Sequence, residues 1–430
     1  MLQLRPVAVM VVGTLLIAAC GAGRTAPEPT ATPAPNRTVS QSPASQSQAP
    51  PVTGSPGPAG QAPPAIGSPG PAAQDPAASP SANAVVPAST EWAAEAGSSK
   101  LSGGTALLDV AATGPRDAWA VGYQDSAEDR EGTPAILRWD GSHWRQVPLG
   151  EADAYHLEGV SAGGPDDVWV VGNGSSPFAA HWNGRAWTTH RPFGVAEDYR
   201  LADVATSGGT AWFAANGPAG AVVVEWRDGA FHNALSIEKG TLEAITFRKG
   251  HVWVVGTDEA RTPLVWHGAG ESWEETETPR IPGGRLNRVW QVSPTEVWAV
   301  GEISTAPGPR PEVNKAQPLV MRWDGSRWTR VEVPVSRGVL QGVTASGPGD
   351  LWISGIDADH AGQVLILHFD GTTWSREYGP LFRAYTATQQ YDGTDDIGGT
   401  GLTRVPGTDA LWAVGSVGTG DDERAFVLRR

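Results

Sequence analysis

Three observations predict an all-β fold built from repeated small sheets. First, a Trp-x-x-Gly step recurs as Trp119–Gly122, Trp169–Gly172, Trp253–Gly256, Trp298–Gly301, Trp352–Gly355 and Trp412–Gly415, and Trp212–Ala215 is a seventh copy without the glycine. The copies lie about 49 residues apart, the length of one supersecondary unit in a repeat protein. Second, an aromatic-Asp/Asn-Gly step follows most copies, as in Trp139-Asp-Gly141, Trp182-Asn-Gly184 and Trp323-Asp-Gly325. Third, the last copy stops at Ala425–Arg430, where a third strand should reach its hairpin, while Ser89–Trp92 has the spacing of an orphan fourth strand. Together these describe a seven-bladed β-propeller with four antiparallel strands per blade, its last blade closed by the N-terminal strand.

Each element of the first copy has a local reason. Leu107–Ala111 is a short apolar strand, and Gly114–Asp117 turns the chain. Ala118–Gly122 is the second strand and Ala135–Trp139 the third. Asp140-Gly141 then suits a tight hairpin, which needs positive φ at its centre, and His143–Val147 is the fourth strand. Strand one recurs from Leu157, Leu201, Leu242, Leu286, Leu340 and Leu402. The third-strand aromatic recurs as Trp182, Trp226, Trp266, Trp323 and Phe369, and the fourth-strand aromatic as Trp187, Phe231, Trp273, Trp328 and Trp374. Eighteen of the 19 tryptophans occupy such positions once Trp92 is included, which assigns them to packing between blades rather than to a sugar-binding row.

The repeats Asp167–Gly172 with His181-Trp-Asn-Gly184, and Glu296–Gly301 with Arg322-Trp-Asp-Gly-Ser-Arg-Trp328, resemble those of secreted bacterial propeller lipoproteins, of kelch or Asp-box-like type. The resemblance covers about residues 89–430 and implies fold, not activity. It departs from the Asp-box by one residue, since Asp324 and Gly325 are adjacent. Asp117, Asp167, Asp350 and Glu296, each two residues before a Trp, are expected to be turn residues.

The segment ahead of the repeats has a different chemistry. Arg5 and the apolar run Val7–Ala19 form a signal-like stretch too short to span a bilayer comfortably. Leu16–Gly21 resembles a lipobox cleaved before Cys20, which would then carry the acyl chains of a lipid anchor. Residues 21–87 are rich in Pro, Ala, Ser and Gly and almost free of charge, so they lack the apolar surface needed to order a chain. The expected organisation is a signal peptide at 1–19, a lipidated linker at 20–88 reaching ~45 Å as a coil, and the propeller at 89–430. That places the protein outside the cytoplasm, held to the outer face of a membrane through its anchor.

Charge and residue types narrow the function further. A net charge of −15 argues against nucleic acid as a partner, and a single cysteine excludes an intrachain disulfide. No metal-ligand spacing, nucleophilic cysteine or catalytic set is legible, so neither a cofactor nor an enzymatic role is expected. Acidic loops at Asp392, Asp395 and Asp396 and at Asp421–Glu423 match no calcium motif.

The turns joining strands one to two and three to four are short in the sequence. Length concentrates in the other two connection classes, including 302–318 and 379–401, and these leave the same face of a propeller. Tyr123, Tyr155, Tyr199, Arg200, Tyr385, Tyr391 and Asp396 fall in or beside these loops and are the candidate ligand-binding residues. Two residues after each leading Leu stand Asp109, Gly159, Asp203, Ala244, Arg288, Gly342 and Arg404. Asp109, Asp203, Arg288 and Arg404, with the out-of-pattern Trp290, are therefore expected to line the central channel. The expected function is a monomeric, non-catalytic binding or scaffold module for protein or glycan. A carbohydrate-active enzyme and a purely architectural surface protein are the alternatives.

Overall fold

The computed structural model describes residues 89, 91–96, 100–190, 196–304, 312–360, 362–382, 397–418 and 422–430. It forms seven four-stranded antiparallel sheets, each a blade. Blade 1 comprises Gly104–Gly114, Asp117–Ser126, Thr133–Trp139 and Trp144–Gln146, from the axis outwards, and blades 2–6 repeat that order. Blade 7 is made from both ends of the chain: Ile397–Arg404, Leu411–Val417, Arg424–Arg429 and the N-terminal strand Ala93–Ala94. Ala93 pairs with Arg429 and Ala94 with Leu428, so the ring closes as the sequence predicts. Among the described residues no helix is long and apolar enough to cross a membrane.

The tryptophans hold neighbouring blades together. The strand-two Trp of one blade enters the space between the third- and fourth-strand aromatics of the next. Trp119 lies 5.6 Å from Trp182 and 5.5 Å from Trp187. Trp253 meets Trp323 and Trp328 at 5.5 and 5.6 Å, and Trp412 meets Trp139 and Trp144 at 4.9 and 5.0 Å. Tilted and edge-on contacts at these separations are the favoured aromatic geometries. At the seventh junction Trp352 is covered by the Arg430 guanidinium at 4.3 Å and shares a core with the buried Trp92. The terminal strand thus supplies the missing half of one wedge.

A β-bulge in strand one explains the glycine of the repeat. In six blades the inner strand shifts register within the two residues that follow its leading Leu, as between Leu107 and Asp109 and between Leu286 and Arg288. In blade 7 it does so earlier, between Ile397 and Gly399. This drives a strand-one carbonyl against strand two. A Cβ on Gly122 would come within 2.0 Å of the Ala106 oxygen, and one on Gly301 within 2.0 Å of the Arg285 oxygen. At these positions a side chain would collide with the oxygen, so glycine is required, whereas blade 3 accommodates Ala215 opposite Leu201 across the same bulge.

In blades 1, 2, 5 and 6 the carboxylate two residues before the strand-two Trp does more than turn the chain. Asp117 accepts from Thr113 Oγ1 at 2.6 Å in the turn and also pairs with Arg138 on strand three at 2.8 Å. The Arg138 guanidinium in turn lies 4.6 Å from the Trp119 ring. Asp167–His181, Glu296–Arg322 and Asp350–His368 repeat the pair, with His181 and His368 stacked on Trp169 and Trp352.

Two registers differ from the expected ones. In blade 4, Gly268 rather than Trp266 stands at the third-strand aromatic position, because Trp253 faces His267. Gly268 leaves room for the Trp273 ring, which a Cβ there would approach within 2.8 Å. In blade 7, Val414 faces Gly401, as Val121 faces Asp109 and Val300 faces Arg288. The leading position is therefore Thr400, not Leu402.

Candidate functional site

Two sets of polar residues meet the axis from opposite faces. The first belongs to the face from which the long connections leave. Tyr155 and Leu381, 38% and 40% exposed, are the exposed large hydrophobic side chains among the described residues, and both lie in strand-four to strand-one connections of this face. Arg200, at the start of strand one in blade 3, is also exposed. Tyr123 donates to Glu423 Oε2 at 2.7 Å and packs edge-on to His156 at 6.2 Å. Tyr199 is half-buried on the core between blades 2 and 3, and a Cβ on Gly217 would reach its ring at 2.5 Å. Tyr123, Tyr155, Tyr199 and Arg200 thus belong to neighbouring blades, two as exposed groups and two as packed supports. Tyr385, Tyr391 and Asp396 lie outside the described residues, as do Asp392, Asp395 and Asp421.

Beneath this surface lie ionisable groups that the sequence reading did not single out. His156 is 2.9 Å from Glu158, whose carboxylate raises its pKa, while Arg200 acts in the opposite direction. Burial disfavours the Glu158 carboxylate, yet the His156 and Asn173 contacts together hold its pKa below the ordinary value. Arg285 pairs with Glu243 at 2.7 Å. Glu302, 2% exposed, is pushed up to about 7 by burial, which Arg285 and its hydrogen bond from Asn287 offset only in part. Glu158, Glu243 and Asn287 are the extra residues of the strand-one bulges. A carboxylate directly after the leading Leu, in Leu157-Glu158 and Leu242-Glu243, was the available signal.

The second set lines an axial cavity of about 520 Å3. Asp109, Asp203, Arg288 and Trp290 border it. Asp109, Asp203 and Arg288 stand at equivalent register positions, directly after the bulge, and form its charged floor. Asp109 Oδ2 accepts from Val160 N at 3.0 Å in the next blade, and Asp203 Oδ2 from Ile245 N at 3.0 Å. Burial raises both carboxyls, Asp203 to about 7, with Arg288 lowering each in part. The remaining ring positions are small because the inner strands converge there. A Cβ on Gly401 would sit 3.1 Å from the Asp109 Cα, and one on Gly159 2.8 Å from Asp203 Oδ1.

Arg404 also borders the cavity, but it is not the equivalent of Arg288. Gly401 fills that position, and Arg404 stands three residues further along the strand, near the turn. There it pairs with Asp350 at 2.5 Å and Asp409 at 2.8 Å. The following connection, 405–410, is longer than the other strand-one to strand-two turns, and Pro406 and Gly407 from it reach the cavity. The cavity thus runs from the charged floor towards the short-turn face. Trp290 packs against the core between blades 5 and 6, its Nε1 without a hydrogen bond.

This architecture defines the class: a closed, seven-bladed β-propeller. No protein-family model matches the chain, and no curated protein matches it. Among solved structures it is similar to YCF48 bound to a D1 peptide, at 14% identity and a TM-score of 0.51, covering 80% of this chain and 96% of that one. YCF48 from Cyanidioschyzon merolae is similar at 12% identity and a TM-score of 0.50, covering 79% and 98%. At these identities the likeness is one of fold.

Proposed function

We propose that the protein is an exported propeller, tethered to a membrane through lipid on Cys20 and the linker 21–88, whose loop-rich face binds a protein or glycan. The observation that carries this reading is the placement of Tyr155 and Leu381. Both exposed apolar groups of an otherwise well-packed ring lie in strand-four to strand-one connections of one face, on which the exposed Arg200 also stands. Aromatic and arginine groups on a rigid support are what contact surfaces use. In YCF48, a protein of similar fold, the recorded ligand is a peptide. The lipid anchor rests on the motif around Cys20 alone.

The test presents the full-length protein to peptide and glycan arrays, beside the double variant Tyr155→Ala/Arg200→Ala. Saturable binding lost by about tenfold or more in the variant supports the reading. Equal binding by both proteins removes it. Cys20→Ser should separately move the protein from the membrane fraction to the soluble one.

One observation favours a second reading. Glu302, whose carboxyl burial pushes up to about 7, lies close to Glu243 and Arg285, and a carboxyl raised in this way is what general acid catalysis uses. Hydrolysis of a glycan that disappears in Glu302→Gln and persists in Tyr155→Ala would favour an enzyme.

A further inference from the structure

We propose that the axial cavity is a separate binding site for the acidic end of a glycan, one or two sugar residues long, entered from the short-turn face. Its volume of about 520 Å3 is that of a small-molecule site. At the floor, Asp109 and Asp203 are fixed by backbone N–H groups of the neighbouring blades. Arg288 is different. It makes no hydrogen bond to the protein among the described residues, and its ion-pair partner, Asp109 Oδ1, is 3.7 Å away. A guanidinium between two carboxylates suits vicinal hydroxyls, each of which donates to one neighbour and accepts from the other. A bare anion would meet the aspartates there, and a bare cation would meet Arg288.

The wall above the floor supplies the rest of the fit. Trp290 is half-buried with a free Nε1, and Gln291, 1% exposed, has neither carboxamide atom in a hydrogen bond. Both border the cavity. The half-buried Trp290 indole offers apolar surface to a sugar ring, while its Nε1 and the Gln291 carboxamide are themselves closed to solvent.

At the mouth, Arg248 is exposed, donates only to the Gln291 carbonyl at 3.3 Å, and pairs with no carboxylate among the described residues. Arg404, by contrast, is occupied by Asp350 and Asp409. A carboxylate on the ligand is the natural partner for Arg248. Arg248 lies four residues beyond the floor position Ala244, roughly 13 Å of strand at about 3.3 Å per residue. A ligand that touches both levels is therefore about a disaccharide in length.

Calorimetric titration of the full-length protein with the glucuronate–N-acetylglucosamine disaccharide of hyaluronan, with cellobiose and with a Glu-terminated dipeptide tests this. The acidic disaccharide should bind saturably, about tenfold tighter than cellobiose. Arg248→Ala should abolish that preference while cellobiose binding stays unchanged, and Trp290→Ala should weaken both sugars. Tyr155→Ala should leave every titration unaltered, which keeps this site distinct from the loop-rich face. Absence of saturable sugar binding, a preference for the dipeptide, or an undiminished preference in Arg248→Ala overturns the proposal. Arg248 is exposed, so its variant keeps the fold where Arg288 replacements endanger it.

Discussion

Asp203 sits where burial works against its charge. Its carboxyl is pushed from 3.8 to about 7 by burial, an effect that Arg288 only partly offsets. Between about pH 4 and about pH 7 the native protein therefore keeps a proton that the unfolded chain has released. Stability must fall as pH rises across that window, with the full cost present above it. Asp203→Asn should flatten this decline, read as the difference between urea midpoints at about pH 5 and about pH 8. An unchanged slope would show that the carboxyl ionises freely. Asp109 is raised for the same reason and shares the same guanidinium, so some decline should persist in the single variant.

At the level of strands, the same carboxylate–base–indole stack recurs across strands two and three of blades 1, 2, 5 and 6. Blades 3 and 7 carry Thr210 and Ala410 instead, and blade 4 departs in another way. There His251 replaces the carboxylate, and His251 Nδ1 lies 3.0 Å from His267 Nε2. Burial and the neighbouring His251 outweigh the Glu274 contact and lower the His267 pKa, so the folded state binds fewer protons than the unfolded chain near pH 6.5. Stability is lost as pH falls through that value. His251→Asp should restore the pairing and add about 1 kcal/mol at about pH 6, with a smaller gain at about pH 8. Thermal unfolding at the two pH values decides it, and equal gains would count against the His–His contact. This blade also shows where sequence reading stops. The Trp-x-x-Gly step was legible because it serves one steric need in blade after blade, a strand crossing a bulged neighbour. Trp266 looked like a repeat member by spacing, yet hydrogen-bond register gave the position to Gly268. Leu402 misled in the same way, since strand one of blade 7 carries its bulge earlier, between Ile397 and Gly399. The central charges Asp109, Asp203 and Arg288 were found from spacing, but Glu302 and Arg248 depend on which residues face each other across blades, which one repeat does not reveal.

For the molecule as a whole, closure rests on a strand of two residues and one indole. Trp92 is 3% exposed, donates to Glu377 at 3.2 Å, and packs with Phe426 and Leu428. Removing residues 89–96 should cost at least about 3 kcal/mol from the lost indole alone and bare the edge of Arg424–Arg429 for self-association. Transferring the same residues to follow Arg430 through a short turn should restore the melting temperature, because the two strands are antiparallel neighbours. Failure of the transferred segment to rescue would mean that it acts through something other than this pairing. The same arrangement dictates the timing of maturation. Ala94 precedes the strands of blades 1–6 in the chain and its partner Leu428 follows them, so the last sheet cannot be completed until all six others have been delivered. Until those two segments meet, the ring is a crescent with two unsatisfied rims, and loss of Arg424–Arg429 would leave it unsealed.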